Sequence, residues 1–209
     1  MVKFSLKKMR CVLAVVAVVL LARGAASSFA AVSPRPMAGI GVLVIRSLNP
    51  DITVDTLMLY DEPGLQRIAT KRTSSLPALT AVVQTAETAP VVAVLKKKSD
   101  WLLIAYDEAG REGWVERQRS WEYASWESWL KGRVARLLPG IKPQDARLYG
   151  APSVTAPVID IPLQNKEMRI IRAQESWVQV LVGGSAVGWL KWRDADGRFL
   201  VQVRDRFPN

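Results

Sequence analysis

The 209-residue chain has no histidine and one cysteine. The first absence removes the imidazole general base, and with it Ser-His-Asp and Cys-His catalysis. Together the two remove any histidine-bearing or multi-cysteine metal site. No phosphate loop or dinucleotide fingerprint occurs. Acids are the scarcer charge, 19 against 29 basic residues, for a formal net charge of +10. What is present is ordinary for a globular protein, 49% hydrophobic and 23% charged residues, which excludes wholesale disorder.

Much of the basic excess sits at the start. Lys3, Lys7, Lys8 and Arg10 come without an acid, and Cys11 to Ala22 is apolar. Small residues from Gly24 to Ser28 follow, then Phe29 and Ala30. This is the charged, apolar and small-residue order of a secretory signal peptide, read here as residues 1–30. A membrane span needs about 20 apolar residues, and Arg23 cuts the run short. A lipoprotein anchor at Cys11 wants small residues before it, where Lys8, Met9 and Arg10 stand. Cleavage after Ala30 removes five basic residues and the cysteine, leaving 24 basic and 19 acidic residues, a charge of +5. The expectation is an exported, periplasmic protein without disulfides and without stable membrane insertion. Secretion, or anchoring by an uncleaved leader, is the alternative.

The rest of the chain matches itself. An offset of 89 aligns Leu48-Asn49-Pro50-Asp51-Ile52 with Leu137-Leu138-Pro139-Gly140-Ile141, and Leu59-Tyr60 with Leu148-Tyr149. An offset of 76 aligns Val94-Leu95 with Ile170-Ile171 and Trp101 with Trp177. Gly113-Trp114-Val115 matches Gly188-Trp189-Leu190 with one residue of slippage. The 13-residue difference is an insertion in the first copy, between Gly64 and Val91. The chain therefore reads as a module at 42–118, a linker at 119–132 and a second module at 133–203. β-branched runs such as Val42 to Ile45 and Val91 to Leu95 predict short strands. Strands at this spacing predict an all-β fold of two small barrels.

The ordered motifs resemble the bacterial SH3-like (SH3b) domain. In the second copy they are Ala146 to Ser153, then Ala156-Pro157-Val158-Ile159, Ser176-Trp177-Val178 and Gly188-Trp189-Leu190. The first copy keeps Leu59 to Gly64, Asp100-Trp101 and Gly113-Trp114-Val115. The resemblance implies two tandem SH3-like barrels and a non-catalytic binding role in the cell envelope. The implied partner is peptidoglycan or an envelope protein, with no nucleic acid and no cofactor. The alternative is a structural tether or subunit of an envelope complex.

Between the copies, Ser120 and Gly132 bracket a predicted helix whose Tyr123, Trp126, Trp129 and Leu130 share one face. That face packs the modules together or docks a partner. Trp101, Trp114, Trp177 and Trp189 occupy matching positions and serve as core or, with Tyr60 and Tyr149, as a groove. Only the first copy joins loop acids, Asp61 and Glu62, to these aromatics, so Tyr60, Asp61, Glu62, Trp101 and Trp114 are the candidate ligand site. The insertion, Leu65 to Pro90, carries Arg67, Lys71 and Arg72 against the single acid Glu87; it is a loose decoration, a contact for an anionic partner or a cover for that groove. Lys96 to Lys98 reads as a solvated hairpin tip. Asp194-Ala195-Asp196-Gly197 lacks the spacing of a calcium loop, because Trp192 and Val203 stand where carboxylates are required. Asp61, Glu62, Asp107 and Glu108 fall in predicted turns, where carboxylates serve solubility rather than glycoside hydrolysis.

Overall fold

The computed structural model describes residues 35–46, 56–86 and 88–205. The expected leader at 1–30, the Leu48 to Ile52 half of the first alignment and Glu87 lie outside the described residues. The chain is mostly β. Seven strands form one sheet: β1 (Gly41–Val44), β2 (Thr56–Tyr60), β3 (Arg67–Arg72), β5 (Val91–Lys98), β6 (Trp101–Ala105), β7 (Glu112–Glu116) and β8 (Glu122–Ser125). Eight form the other: β4 (Val83–Gln84), β9 (Val134–Leu137), β10 (Leu148–Tyr149), β11 (Val158–Ile159), β12 (Met168–Gln174), β13 (Trp177–Val182), β14 (Ala186–Lys191) and β15 (Val201–Arg204).

The sequence repeat is a repeat of topology. The first sheet runs β3-β2-β7-β6-β5-β1-β8 and the second β11-β10-β14-β13-β12-β9-β15, followed by β4. Each strand of the first order has its counterpart at the same place in the second. Local irregularities repeat as well. The register slips between Val94 and Lys96 in β5, and between Ile170 and Arg172 in β12. Ser99 (φ 55°) and Glu175 (φ 51°) turn the two equivalent hairpins. The tip of the first is therefore at Ser99, and Lys96 to Lys98 belong to β5 rather than to the turn. Neither sheet closes into a barrel, contrary to the expectation of closed modules. β3 and β8 stay edges of one, β11 and β4 of the other. The edges are short or carry charge, as in β11 with two residues and β3 with Arg67, Lys71 and Arg72, which discourages further pairing.

Burial explains the continuous apolar run of β1. All four of its residues are buried. Leu43 and Ile45 point into a core with Leu59, Leu102, Ile104 and Val115. Val42 and Val44 point the other way, into a larger core with Met168, Ile170, Val180 and Leu190 of the second sheet. A strand covered on both faces has no polar side to show, so period-two alternation vanishes.

Two glycines show how tightly the repeats are built. A Cβ at Gly188 would stand 2.5 Å from Leu148 Cγ and 3.0 Å from Ile159 Cδ1. At the equivalent Gly113 the nearest atom is Leu59 Cδ2 at 3.0 Å. Gly188→Ala should therefore cost about 1–3 kcal/mol by overpacking, and Gly113→Ala clearly less. Paired urea melts check this, and equal costs would contradict it.

The linker differs from its expectation. Residues Glu122–Ser125 are a strand, paired through Leu43 opposite Tyr123 with β1. The helix, α1, spans only Trp126–Leu130, and its N-cap is Ser125, whose hydroxyl accepts from the Ser128 amide at 3.4 Å. Gly132 at φ 82° does end it. Tyr123 therefore does not share a helix face with Trp126 and Trp129. It packs against the first core, while the two tryptophans are buried in the larger one.

The insertion is a strap. It folds as 3-10 turns at Thr73–Ser75 and Leu79–Ala81, then as β4, which pairs in parallel with β15 of the second sheet. The Val203 amide donates to Val82 O at 2.7 Å, and that of Asp205 to Gln84 O at 3.0 Å. Leu79, Val82 and Val83 are buried in the larger core, so neither the decoration nor the groove-cover reading describes this segment.

Candidate functional site

Side chains alternate along strands, so register decides which residues share a face. Tyr60 lies opposite Trp114, and Trp114 opposite Leu103. Trp101 is two residues from Leu103 and so joins the same face. Its ring meets that of Tyr60 edge-on, centroids 5.2 Å apart at 88°. The core side chains Leu59, Leu102, Ile104 and Val115 occupy the opposite face. Tyr60, Trp101 and Trp114 are each half-buried. Three of the five predicted site residues thus meet on one outward face.

Asp61 and Glu62 follow directly on the turn that leaves β2. That turn is closed by the Asp61 amide donating to Gln66 O at 3.1 Å. Asp61 Oδ1 accepts from the Glu62 amide at 2.7 Å, so one carboxylate oxygen fixes the turn itself. Both side chains are exposed. The turn abuts the aromatic face, since a Cβ at Gly64 would lie 3.9 Å from Trp101 Cζ2.

The second copy builds the same trio and closes it. Tyr149 lies opposite Trp189 and meets Trp177 edge-on, centroids 5.4 Å apart at 87°. Here the three residues are buried, at 5%, 5% and 9% exposure for Tyr149, Trp189 and Trp177, with Ala156 packed against them. The covering segment is a longer loop, closed by the Gly150 amide donating to Pro157 O at 2.9 Å. Cations complete the roof. The Arg172 guanidinium lies 4.8 Å from the Trp189 ring and Lys191 Nζ 5.6 Å from that of Trp177. Both are held in place, Arg172 by Gln179 at 3.0 Å and Lys191 by Asp145 at 3.6 Å.

The first copy has neither part of this roof. Its turn is shorter, and Lys191, opposite Trp177, is replaced by Glu116, opposite Trp101. Gln179 is replaced by Leu103, and Arg172 by Lys96. Among the described residues, none of the cation–ring contacts involves Trp101 or Trp114, whereas Lys97 lies 5.8 Å from the Tyr123 ring. Glu116 and Leu103 are the site residues that sequence reasoning missed. The signal was available: Gly113-Trp114-Val115-Glu116 against Gly188-Trp189-Leu190-Lys191 shows the charge reversal directly.

Of the other predicted interface, Trp126 and Trp129 are inside and Tyr123 is half-buried. Trp126 is 4% and Trp129 5% exposed. Trp126 Nε1 donates to Ala38 O at 2.7 Å. The Arg133 guanidinium covers the Trp129 ring at 3.8 Å and pairs with Asp205 at 2.9 Å. Burial holds the Arg133 pKa below the usual guanidinium value, opposed by the Asp205 charge. Burial raises that of the Tyr123 phenol. Asp107, in the β6–β7 turn, sits below the usual carboxylate range: desolvation acts to raise it, but hydrogen bonds and charge from Arg111 outweigh this. It is thereby committed to its turn. No group of three or more His, Cys, Asp or Glu side chains able to hold a metal occurs among the described residues.

No protein-family model matches the chain. No curated protein matches it either. Among solved structures it is similar to NlpC1 from Trichomonas vaginalis, at 11% identity and a TM-score of 0.33. The match covers 79% of this chain and 51% of NlpC1, so the chain spans about half the length of that protein. A likeness this weak carries neither a fold assignment nor an activity to this chain, which stands on its own geometry.

Proposed function

We propose that this is an exported, non-catalytic binding module of the cell envelope, made of two tandem SH3-like units joined by α1. It recognises peptidoglycan or a protein segment through the outer face of the first unit. The common strand order of the two sheets supports the SH3-like reading, with each unit an open sheet rather than a closed barrel. The observation that carries the binding role is the pair of aromatic trios, one roofed and buried, one open and half-buried. Tyrosine and tryptophan faces give large contact area with few rotatable bonds, and such a face left open beside exposed acids is a recognition surface. The roofed trio favours the structural role for the second unit.

The test is sedimentation with purified cell walls and pull-down from envelope extract. Trp101→Ala combined with Trp114→Ala should abolish capture, with circular dichroism unchanged because both rings lie outside the core. A double variant that retains every partner of the parent would overturn the assignment. The periplasmic reading is checked separately by N-terminal mass spectrometry of the protein from cells. A chain starting at Ala31 is expected, and intact Met1 in the membrane fraction would replace export by anchoring.

A further inference from the structure

We propose that the open face takes a cationic side chain, the lysine or arginine of a protein segment, seated over the Trp101 ring between Glu116 and the Asp61-Glu62 turn. The inference rests on the reading of that face as the binding surface and adds the chemistry of its ligand.

The second unit displays the occupied form. Lys191 Nζ stands 5.6 Å from the Trp177 ring and the Arg172 guanidinium 4.8 Å from that of Trp189, both supplied by the chain itself. A tryptophan face attracts a cation through the negative charge density above the ring. In the first unit the aromatic rings are retained, in the same register and the same edge-on contact. The residue opposite the first ring has changed sign, from Lys191 to Glu116. An internal cation is thus exchanged for an acid that pairs with an external one.

The remaining charges set the direction of approach. Lys98 lies opposite Trp101 on β5 and Lys96 opposite Leu103. Asp100 beside the hairpin is already paired with Arg117 at 3.0 Å. Glu116, Asp61 and Glu62 flank the rings on the side away from β5, and all three are exposed. Arg67, opposite Tyr60 on β3, is the cation on that side, and its guanidinium lies 4.0 Å from Met58 Sδ. A cation therefore enters over β7, between Glu116 and the turn acids, and keeps clear of the two lysines and Arg67.

The experiment titrates the full exported chain with Ac-Ala-Lys-Ala-amide, Ac-Ala-Arg-Ala-amide and the Nε-acetyl-lysine peptide, at physiological salt. The readout is the indole N–H resonances of Trp101 and Trp114. The lysine and arginine peptides should shift both signals, and the acetylated peptide should bind at least about tenfold more weakly, since it keeps the length and loses the charge. Glu116→Lys restores the residue type of the second unit and should abolish the response. Glu116→Gln should weaken it several-fold. The side chain is exposed at the end of β7, so both variants should keep the parent circular dichroism. Equal shifts by the acetylated peptide, or an unchanged response in Glu116→Lys, would overturn the cation proposal. So would wall sedimentation that is lost in the Trp101 and Trp114 variant yet not competed by the lysine peptide. That last result leaves the face as the binding site and assigns it to the wall. Unchanged capture of walls and envelope proteins by the tryptophan variant would instead remove the face itself.

Discussion

Trp126→Ala should cost about 3–5 kcal/mol from lost packing alone, a large share of the 5–15 kcal/mol typical of a folded domain. The indole is 4% exposed and stands among Trp129, Trp192 and Phe199, with ring centroids 5.6, 5.3 and 5.2 Å away. Its N–H also satisfies the Ala38 carbonyl at 2.7 Å, an acceptor that truncation leaves buried without this partner, adding about 1–3 kcal/mol. The residue joins three parts of the chain: α1, the stretch before β1, and the tail that carries Phe199. Trp126→Phe keeps a ring in the site and should lose chiefly the hydrogen bond. Urea unfolding followed by circular dichroism separates the two variants. An alanine cost below about 1 kcal/mol would mean that the helix is a surface feature after all.

Leu79→Ala should cost about 2–5 kcal/mol although it sits in what the sequence presents as a loop insertion. Leu79 is 2% exposed and belongs to the core that holds Met168, Val180 and Val203 of the second sheet. β4, four residues on, is held to β15 by the Val203 and Asp205 amides. Loosening the strap should therefore speed hydrogen exchange at those two amides, far along the chain from the substitution. Exchange that stays protected there would show the strap to be independent of the second sheet. Excision of 73–85 should destabilise the protein for the same reason, so a binding deficit in such a deletion reports lost folding rather than a lost ligand site.

The difference between the two units shows what a repeat conceals. Identical positions carry Tyr60 and Tyr149, Trp101 and Trp177, Trp114 and Trp189, and their rings meet in nearly identical geometry. Whether a trio is core or surface was not legible from the aromatic residues, because the same residues do both. The answer lies in what covers them: the loop that ends at Pro157, and the cations Arg172 and Lys191. The candidate site of the first unit was found through its aromatics and turn acids. Glu116 completes it: the aligned repeats show its charge reversal against Lys191, but only the register across the sheet sets that carboxylate opposite Trp101.

The sequence by itself determined the β class, strands such as β1 and β5, and the two-fold repeat with its offsets of 89 and 76. These are local properties: β-branched runs, glycine turns and an ordered set of motifs act through neighbouring residues. It also placed the end of α1 at Gly132, where a positive φ is needed. Only the tertiary structure decided that residues 122–125 extend as a strand. Tyr123 follows the strand period because β1 offers an unpaired edge at Leu43, and that pairing outweighs the helical spacing of Tyr123, Trp126 and Trp129. Tertiary structure likewise turned the insertion into a strap, since Leu79, Val82 and Val83 find their apolar partners in the second half of the chain. It also left the sheets open, because closure depends on which edges meet, a long-range matter that no local pattern encodes.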